Sequence, residues 1–228
     1  MKKAVVLLSG GLDSTVTLAH AISAGYDVVP LTIRYGQRHA RELKAAKDVV
    51  AFYKLKNHVL IDLDLSSFKT SALISREIDL PERASSGEIG LEIPVTYVPS
   101  RNIIFLSIAA GLCESVSAEK IFIGANSLDY SGYPDCRPEF FEAFEKVLKV
   151  GTKKGVEGAS IKIETPIVLS TKADIVRMGK RLGAPLHLTW SCYRGGEKAC
   201  GRCDSCLLRL KGFYEAGFED EISYEARA

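Results

Sequence analysis

Ala4-Val5-Val6-Leu7-Leu8-Ser9-Gly10-Gly11-Leu12-Asp13-Ser14-Thr15 is the stretch that decides how this chain is read. An apolar run that breaks at adjacent glycines and reopens as a helix, predicted from Asp13 to Ala24, leaves backbone N–H groups facing outward at a helix N-terminus, where the dipole favours anions. Glycine at 10 and 11 is expected to admit left-handed backbone and close approach of a ligand, and Ser9, Ser14 and Thr15 add hydroxyls. Leu8 to Thr15 is therefore expected to cradle phosphate. A turn capped by Asp13 or Ser14 would require neither glycine. The loop is not a Walker element, because no four-residue spacer separates its glycines and no lysine lies within it, and it lacks the GxGxxG spacing.

Outward from this loop, composition bounds the chain. Its 228 residues can form one large domain or one with a small appendage, since single cores serve up to roughly 250 residues. A hydrophobic content of 46% with 25% charged residues is ordinary for a globular protein. The net charge of +2 and pI near 8.1 lack the basic excess of a dedicated nucleic-acid binder, so no nucleic-acid partner is expected. Lys2 and Lys3 precede an apolar run shorter than the 7–15 residues of a secretory signal. No run reaches the roughly 18 apolar residues of a membrane span, and a cytoplasmic location without a membrane partner is expected.

Strand and helix patterns alternate along the chain. Strands are predicted at 27–34, 58–63, 120–124 and 161–164, and helices at 42–55, 101–117, 138–150 and 172–182. Ser100 is read as a cap for the third helix, Ser170-Thr171 for the last, and 151–158 as a charged, Gly-rich break. Residues 66–98, with Pro81, Pro94 and Pro99, read as one irregular segment of the kind that forms a lid or stays disordered. The alternation implies an α/β fold: a doubly wound, mainly parallel five-stranded sheet with ligands gathering at the carboxyl ends of its strands.

Of six cysteines, Cys192, Cys200, Cys203 and Cys206 cluster near the C-terminus. Four thiolates so grouped match a closed, structural tetrahedral zinc site, with Gly195, Gly196 and Gly201 letting the chain wrap back. An iron–sulfur cluster shares the ligand set. Disulfides are disfavoured by the expected cytosolic setting, and a redox CxxC lacks its βαβ context. Cys113 reads as core. The chain is accordingly divided into an α/β domain carrying the phosphate loop, 1–185, and a C-terminal zinc-binding and helical segment, 186–228.

Two further constellations carry chemistry. Thr96-Tyr97-Val98-Pro99-Ser100-Arg101-Asn102 places an arginine in the first turn of a helix, against the dipole preference, so Arg101 is expected to answer an anion unless it is merely exposed. The segment after strand four collects Asn126, Asp129, Tyr130, Tyr133, Asp135 and Arg137, a mixture suited to stacking on and hydrogen-bonding a flat heterocycle. The four histidines, His20, His39, His58 and His187, are scattered without recognisable spacing, and no general base is assigned.

The string SGGLDS at 9–14 resembles the signature of the PP-loop ATP pyrophosphatases, which bind ATP and cleave between its α and β phosphates to adenylate a substrate. TYVPSRN at 96–102, GANSLDYSGYPDCRPEF at 124–140, TPIVLSTKADIV at 165–176 and WSCYRGGEKACGRCDSCLLR at 190–209 narrow the likeness to the 7-cyano-7-deazaguanine synthase family. Residues 76–93 add nothing to it. The resemblance implies a zinc-containing ligase that forms carbon–nitrogen bonds, converting 7-carboxy-7-deazaguanine, ammonia and ATP into the 7-cyano product of the queuosine and archaeosine precursor pathway, and a homodimer. Ser9, Asp13, Arg101 and Lys172 are the candidate catalytic residues. Asp13 is read either as helping Mg²⁺ or as a helix-start acid, and Lys172 either as touching phosphate or as a solvated lysine. Asp129 or Asp135 is expected to read the deazaguanine edge, a tyrosine to cover its face, and Arg137 or Arg101 to hold its carboxylate. Two rivals stand beside this reading. A PP-loop tRNA-thiolation enzyme would bring a basic surface and a catalytic cysteine pair or iron–sulfur cluster. A non-enzymatic zinc module would not explain the nucleotide loop.

Overall fold

The computed structural model describes residues 2–82, 93–128 and 133–225. Five parallel strands lie in the order β3-β2-β1-β4-β5: β1 (Lys3–Leu7), β2 (Asp27–Arg34), β3 (Val59–Asp62), β4 (Lys120–Phe122) and β5 (Lys162–Glu164). The expected parallel sheet is present, and its order reverses direction between β1 and β4. Loops leaving these two neighbours diverge and open a crevice at their carboxyl ends.

Side-chain alternation explains how helices cover both faces. Val5, Leu7, Val29, Leu31, Ile33 and Ile121 share one apolar cluster with α3 (Arg101–Ser115) and α4 (Pro138–Gly151), through Leu106, Ala109, Phe141 and Phe144. Ala4, Val6, Leu8, Val28 and Phe122 point the other way, onto α1 (Leu12–Ser23) and α2 (Arg41–Phe52), through Leu18, Ala21, Ala46 and Val49. Central β2 is buried from Val28 to Ile33, whereas edge strand β3 alternates, as single-sided cover requires.

Beyond the sheet, α6 (Lys172–Arg181) and α7 (Asp204–Ala216) pack together and onto α1 around Val16, Ile175, Val176 and Phe213. Thr171 caps α6 in a reciprocal capping box with Asp174. The break expected at 151–158 contains a short helix, α5 (Lys153–Val156), started by the Thr152 hydroxyl accepting from the Gly155 N–H. Ser100 does not cap α3 with its side chain. It sits in the left-handed region at φ 56°, and the Asp135 carboxylate, 35 residues beyond it, accepts the Asn102 N–H instead at 3.0 Å. The described parts of 66–98 run irregularly, apart from one bridge between Glu82 and Cys203. Cys113 is fully buried, as expected of core.

Candidate active site

The segment from Ser9 to Ser14 leaves β1 and enters α1 at the crevice. Gly10 adopts φ +85°, and a Cβ there would lie 2.4 Å from the Glu42 carbonyl oxygen and 2.5 Å from the Ala46 nitrogen, so only glycine fits. Gly11 differs from expectation. Its φ of −76° is ordinary extended backbone open to any residue, so the left-handed step is confined to Gly10. Ser9 and Ser14 hydroxyls lie 3.0 Å apart, the Ser14 N-terminal-turn hydroxyl donates to the Gly11 carbonyl at 3.1 Å, and the Gly11 N–H donates to the Ser9 Oγ at 3.2 Å. These bonds fix the cradle before any ligand enters. No side chain caps α1, which leaves its amino end to accept an anion.

Lys172, at the start of α6, reaches across to Asp13 and donates to both carboxylate oxygens, at 2.8 and 2.9 Å. The lysine is therefore held at the cradle and is no solvated side chain. Gly212 on α7 makes room for it, since a Cβ there would fall 2.3 Å from the Lys172 Cγ.

The cradle opens onto a cavity of about 280 Å³. Leu31, Ile33, Phe105, Ile123 and Trp190 give it apolar walls, and Arg101, Glu42, Tyr35, Tyr133 and Asn126 bring polar groups to it. Burial works against the Arg101 charge, but Tyr35, Tyr133, Cys136 and Asp135 around it outweigh that and hold the guanidinium firmly ionised. Burial pushes the Glu42 carboxyl up to about 7, with Arg101 pulling the other way. Tyr133, buried and hydrogen-bonded to the Thr96 hydroxyl at 2.8 Å, is pushed up to about 12 and stays protonated.

Candidate residues of the segment after β4 divide. Tyr133 and Asn126 line the cavity. The Asn126 amide nitrogen donates to the carbonyls of Ile167 and Ser170 at 3.0 and 2.6 Å, tying the β4 loop to the approach to α6. Asp135 is buried and serves the amino end of α3, and Arg137 is exposed at the N-cap of α4; neither lines the cavity. Asp129 and Tyr130 lie outside the described residues. Sequence reasoning missed Tyr35, Glu42, His39 and Trp190, all on the cavity wall. Position after the carboxyl end of β2 was the available signal for the first three.

All four clustered cysteines are buried, with sulfurs within 4.8 Å of one another. Cys200 and Cys206 sulfurs lie 3.9 Å apart, close to the edge of about 3.8 Å that tetrahedral coordination with metal–sulfur bonds of about 2.3 Å requires. Backbone N–H groups of Arg194 and Cys200 donate to the Cys192 sulfur and those of Arg202 and Cys203 to the Cys200 sulfur, at 3.3–3.4 Å, as thiolate ligands demand. The donor set fits a metal ion. This module also builds the cavity: the Trp190 N–H donates to the Gly10 carbonyl at 2.9 Å, and Ser191, Tyr193 and Ser205 line the wall. Behind it, buried Arg209 is held by Asp220 at 2.6 and 3.0 Å and donates to the Thr189 hydroxyl and the Leu186 carbonyl.

Among the described residues no helix is long and apolar enough to cross a membrane. The family described as queuosine biosynthesis protein QueC matches residues 3–217. A 7-cyano-7-deazaguanine synthase of Acetivibrio thermocellus is 57% identical over 228 residues, covering 100% of both chains. One of Thermoplasma acidophilum is 56% identical over 224 residues, 98% of this chain and 92% of that one. Among solved structures, an NMN synthetase from Francisella tularensis matches at a TM-score of 0.49 and 15% identity, over 96% of this chain and 78% of that one. With a cradle at the sheet's switch point, a buried four-cysteine centre and relatives of this identity over full length, the chain belongs to the QueC family of 7-cyano-7-deazaguanine synthases.

Proposed function

We propose that the cavity joins 7-carboxy-7-deazaguanine to ammonia at the expense of ATP and dehydrates the product to 7-cyano-7-deazaguanine. The observation that carries this reading is a phosphate cradle opening directly onto an apolar cavity that also holds Arg101. A carboxylate does not react with ammonia at neutral pH until one oxygen becomes part of a leaving group. In the proposed sequence a substrate carboxylate oxygen attacks the α-phosphorus and pyrophosphate departs. Ammonia adds to the acyl carbon, AMP leaves with that oxygen, and the amide remains. The amide oxygen then attacks the α-phosphorus of a second ATP and pyrophosphate departs; loss of AMP and two protons from the adenylated amide yields the nitrile.

Ser9, Gly10, Gly11, Leu12, Ser14 and Thr15, with Leu8 at the strand end, form the pyrophosphate site, where preorganised N–H and hydroxyl donors meet charge developing on the leaving group. Lys172, already at 2.8 Å from Asp13, turns its ammonium to the phosphates when they arrive. Asp13 is a carboxylate beside the cradle, which suits Mg²⁺, an ion bound through one or two carboxylates plus substrate phosphates; when bound it would neutralise pyrophosphate charge. Arg101 holds the substrate carboxylate toward the α-phosphate, and Tyr133 borders the ring. The four cysteines hold a structural Zn²⁺ that keeps the Trp190 segment against Gly10. A reducing, cytoplasmic setting keeps those thiols available, and the enzyme works as a homodimer. Incubation with ATP, ammonium and 7-carboxy-7-deazaguanine, followed by mass spectrometry, tests the reading: the nitrile and AMP are expected, and AMP without nitrile, or neither, refutes it.

A further inference from the structure

We propose that Glu42 reads the guanine-type edge of the substrate while Arg101 takes the adjacent acceptor edge, an inference that rests on the proposed function and assigns its specificity. The charged groups on the cavity wall have separate commitments. Asp13 is held through both oxygens by Lys172, Arg209 by Asp220, and Arg38 by the carbonyls of Ser75 and Ile78. Among the described residues Glu42 from α2 and Arg101 from α3 remain, both on the wall with Tyr35 and near enough for Arg101 to act on the Glu42 carboxyl.

This pairing matches the ligand. A deazaguanine acid offers two adjacent in-plane donors, the ring N1–H and the 2-amino group, which one carboxylate accepts side by side. On the neighbouring edge lie two acceptors, the 6-oxo group and the 7-carboxylate, which a planar guanidinium meets with paired donors. A carboxylate from α2 and a guanidinium from α3, on the wall of one cavity, complement that donor and acceptor order. Asp135 cannot take the first task, because its carboxylate accepts the Asn102 N–H and lies off the cavity wall.

The test compares 7-carboxy-7-deazaguanine with its analogue lacking the 2-amino group, by calorimetry and by turnover, in the full-length zinc-loaded enzyme and in Glu42→Gln. The unaltered enzyme is expected to favour the amino compound by about 10–100-fold, the worth of one hydrogen bond to a charged group. Glu42→Gln places a donor opposite a donor, so the preference should collapse toward unity while the KM for ATP holds. Glu42→Asp, which keeps the carboxylate, should bind both ligands more weakly and retain the preference. Equal affinity of the unaltered enzyme for the two ligands overturns the proposal without any variant. So does a Glu42→Gln enzyme of unchanged zinc content that keeps the full preference or loses turnover alone. Failure of the unaltered enzyme to convert 7-carboxy-7-deazaguanine at all would instead count against the proposed function.

Discussion

Gly10→Ala is the sharpest perturbation of the phosphate cradle. Position 10 holds φ +85°, which costs a residue with a Cβ about 1–2 kcal/mol. The new carbon would also stand 2.4 Å from the Glu42 carbonyl oxygen and 2.5 Å from the Ala46 nitrogen, both backbone atoms of α2 that no rotamer change can move. Relief demands a shift of about 1 Å, and overpacking of this kind costs about 1–3 kcal/mol. The combined loss of about 2–5 kcal/mol is a large share of a domain's 5–15 kcal/mol and should lower Tm by on the order of 10 °C. Displacing the donors by that distance should cut ATP turnover by about 100-fold. Gly11→Ala is the matched control. Its φ of −76° suits alanine, and its Cβ would meet Ser9 Oγ at 3.3 Å and the Trp190 carbonyl at 3.6 Å, so its Tm should scarcely move. Thermal denaturation followed by circular dichroism and AMP release measured on both variants decide the matter. Equal Tm values for the two variants, or a Gly10→Ala enzyme as active as the unaltered one, would refute the geometric argument.

Further expectations follow from the same contacts. Cys203→Ser should lose zinc, measured by metal analysis, and also weaken ATP binding, because apparent structural zinc affinities of about 10–16 kcal/mol rival the whole stability of a domain and the Trp190 N–H that holds Gly10 belongs to this module; wild-type ATP affinity in zinc-free protein would oppose this. Gly212→Ala should push the Lys172 stem, 2.3 Å from the new Cβ, off Asp13 and slow adenylation with little change in substrate binding, as rapid-quench kinetics would show. Asp220→Ala strands the buried Arg209 charge and should cost about 3–5 kcal/mol in urea denaturation. Because burial raises the folded Glu42 carboxyl from 4.5 to about 7, the native state holds its proton longer than the unfolded chain, and stability should fall as pH rises through that window; Glu42→Gln should flatten this part of the profile.

Features written in consecutive residues were legible in the sequence. The SGGLDS loop, β2 over 27–34 and the cysteine spacing each carry their signal within a few positions, and the structure returns them with the expected sheet. What escaped was set by distant packing. Nothing local to Glu42 says that α2 turns it toward Arg101, and nothing at Ser100 says that Asp135 will supply the bond a cap would have made. Arg137 carried the right chemistry in the right segment, yet Pro138 starts a helix beside it and leaves it at the surface. Gly10 and Gly11 look alike as letters, and only the approach of α2 separates them.

The central claim, that one site activates the same carbon twice by adenylation, is tested most directly by oxygen transfer. Substrate labelled with ¹⁸O at both carboxylate oxygens, turned over with ATP and ammonium, should deliver one label to each of the two AMP molecules formed per nitrile. Label in phosphate with ADP as co-product, or label released to water, would contradict the account.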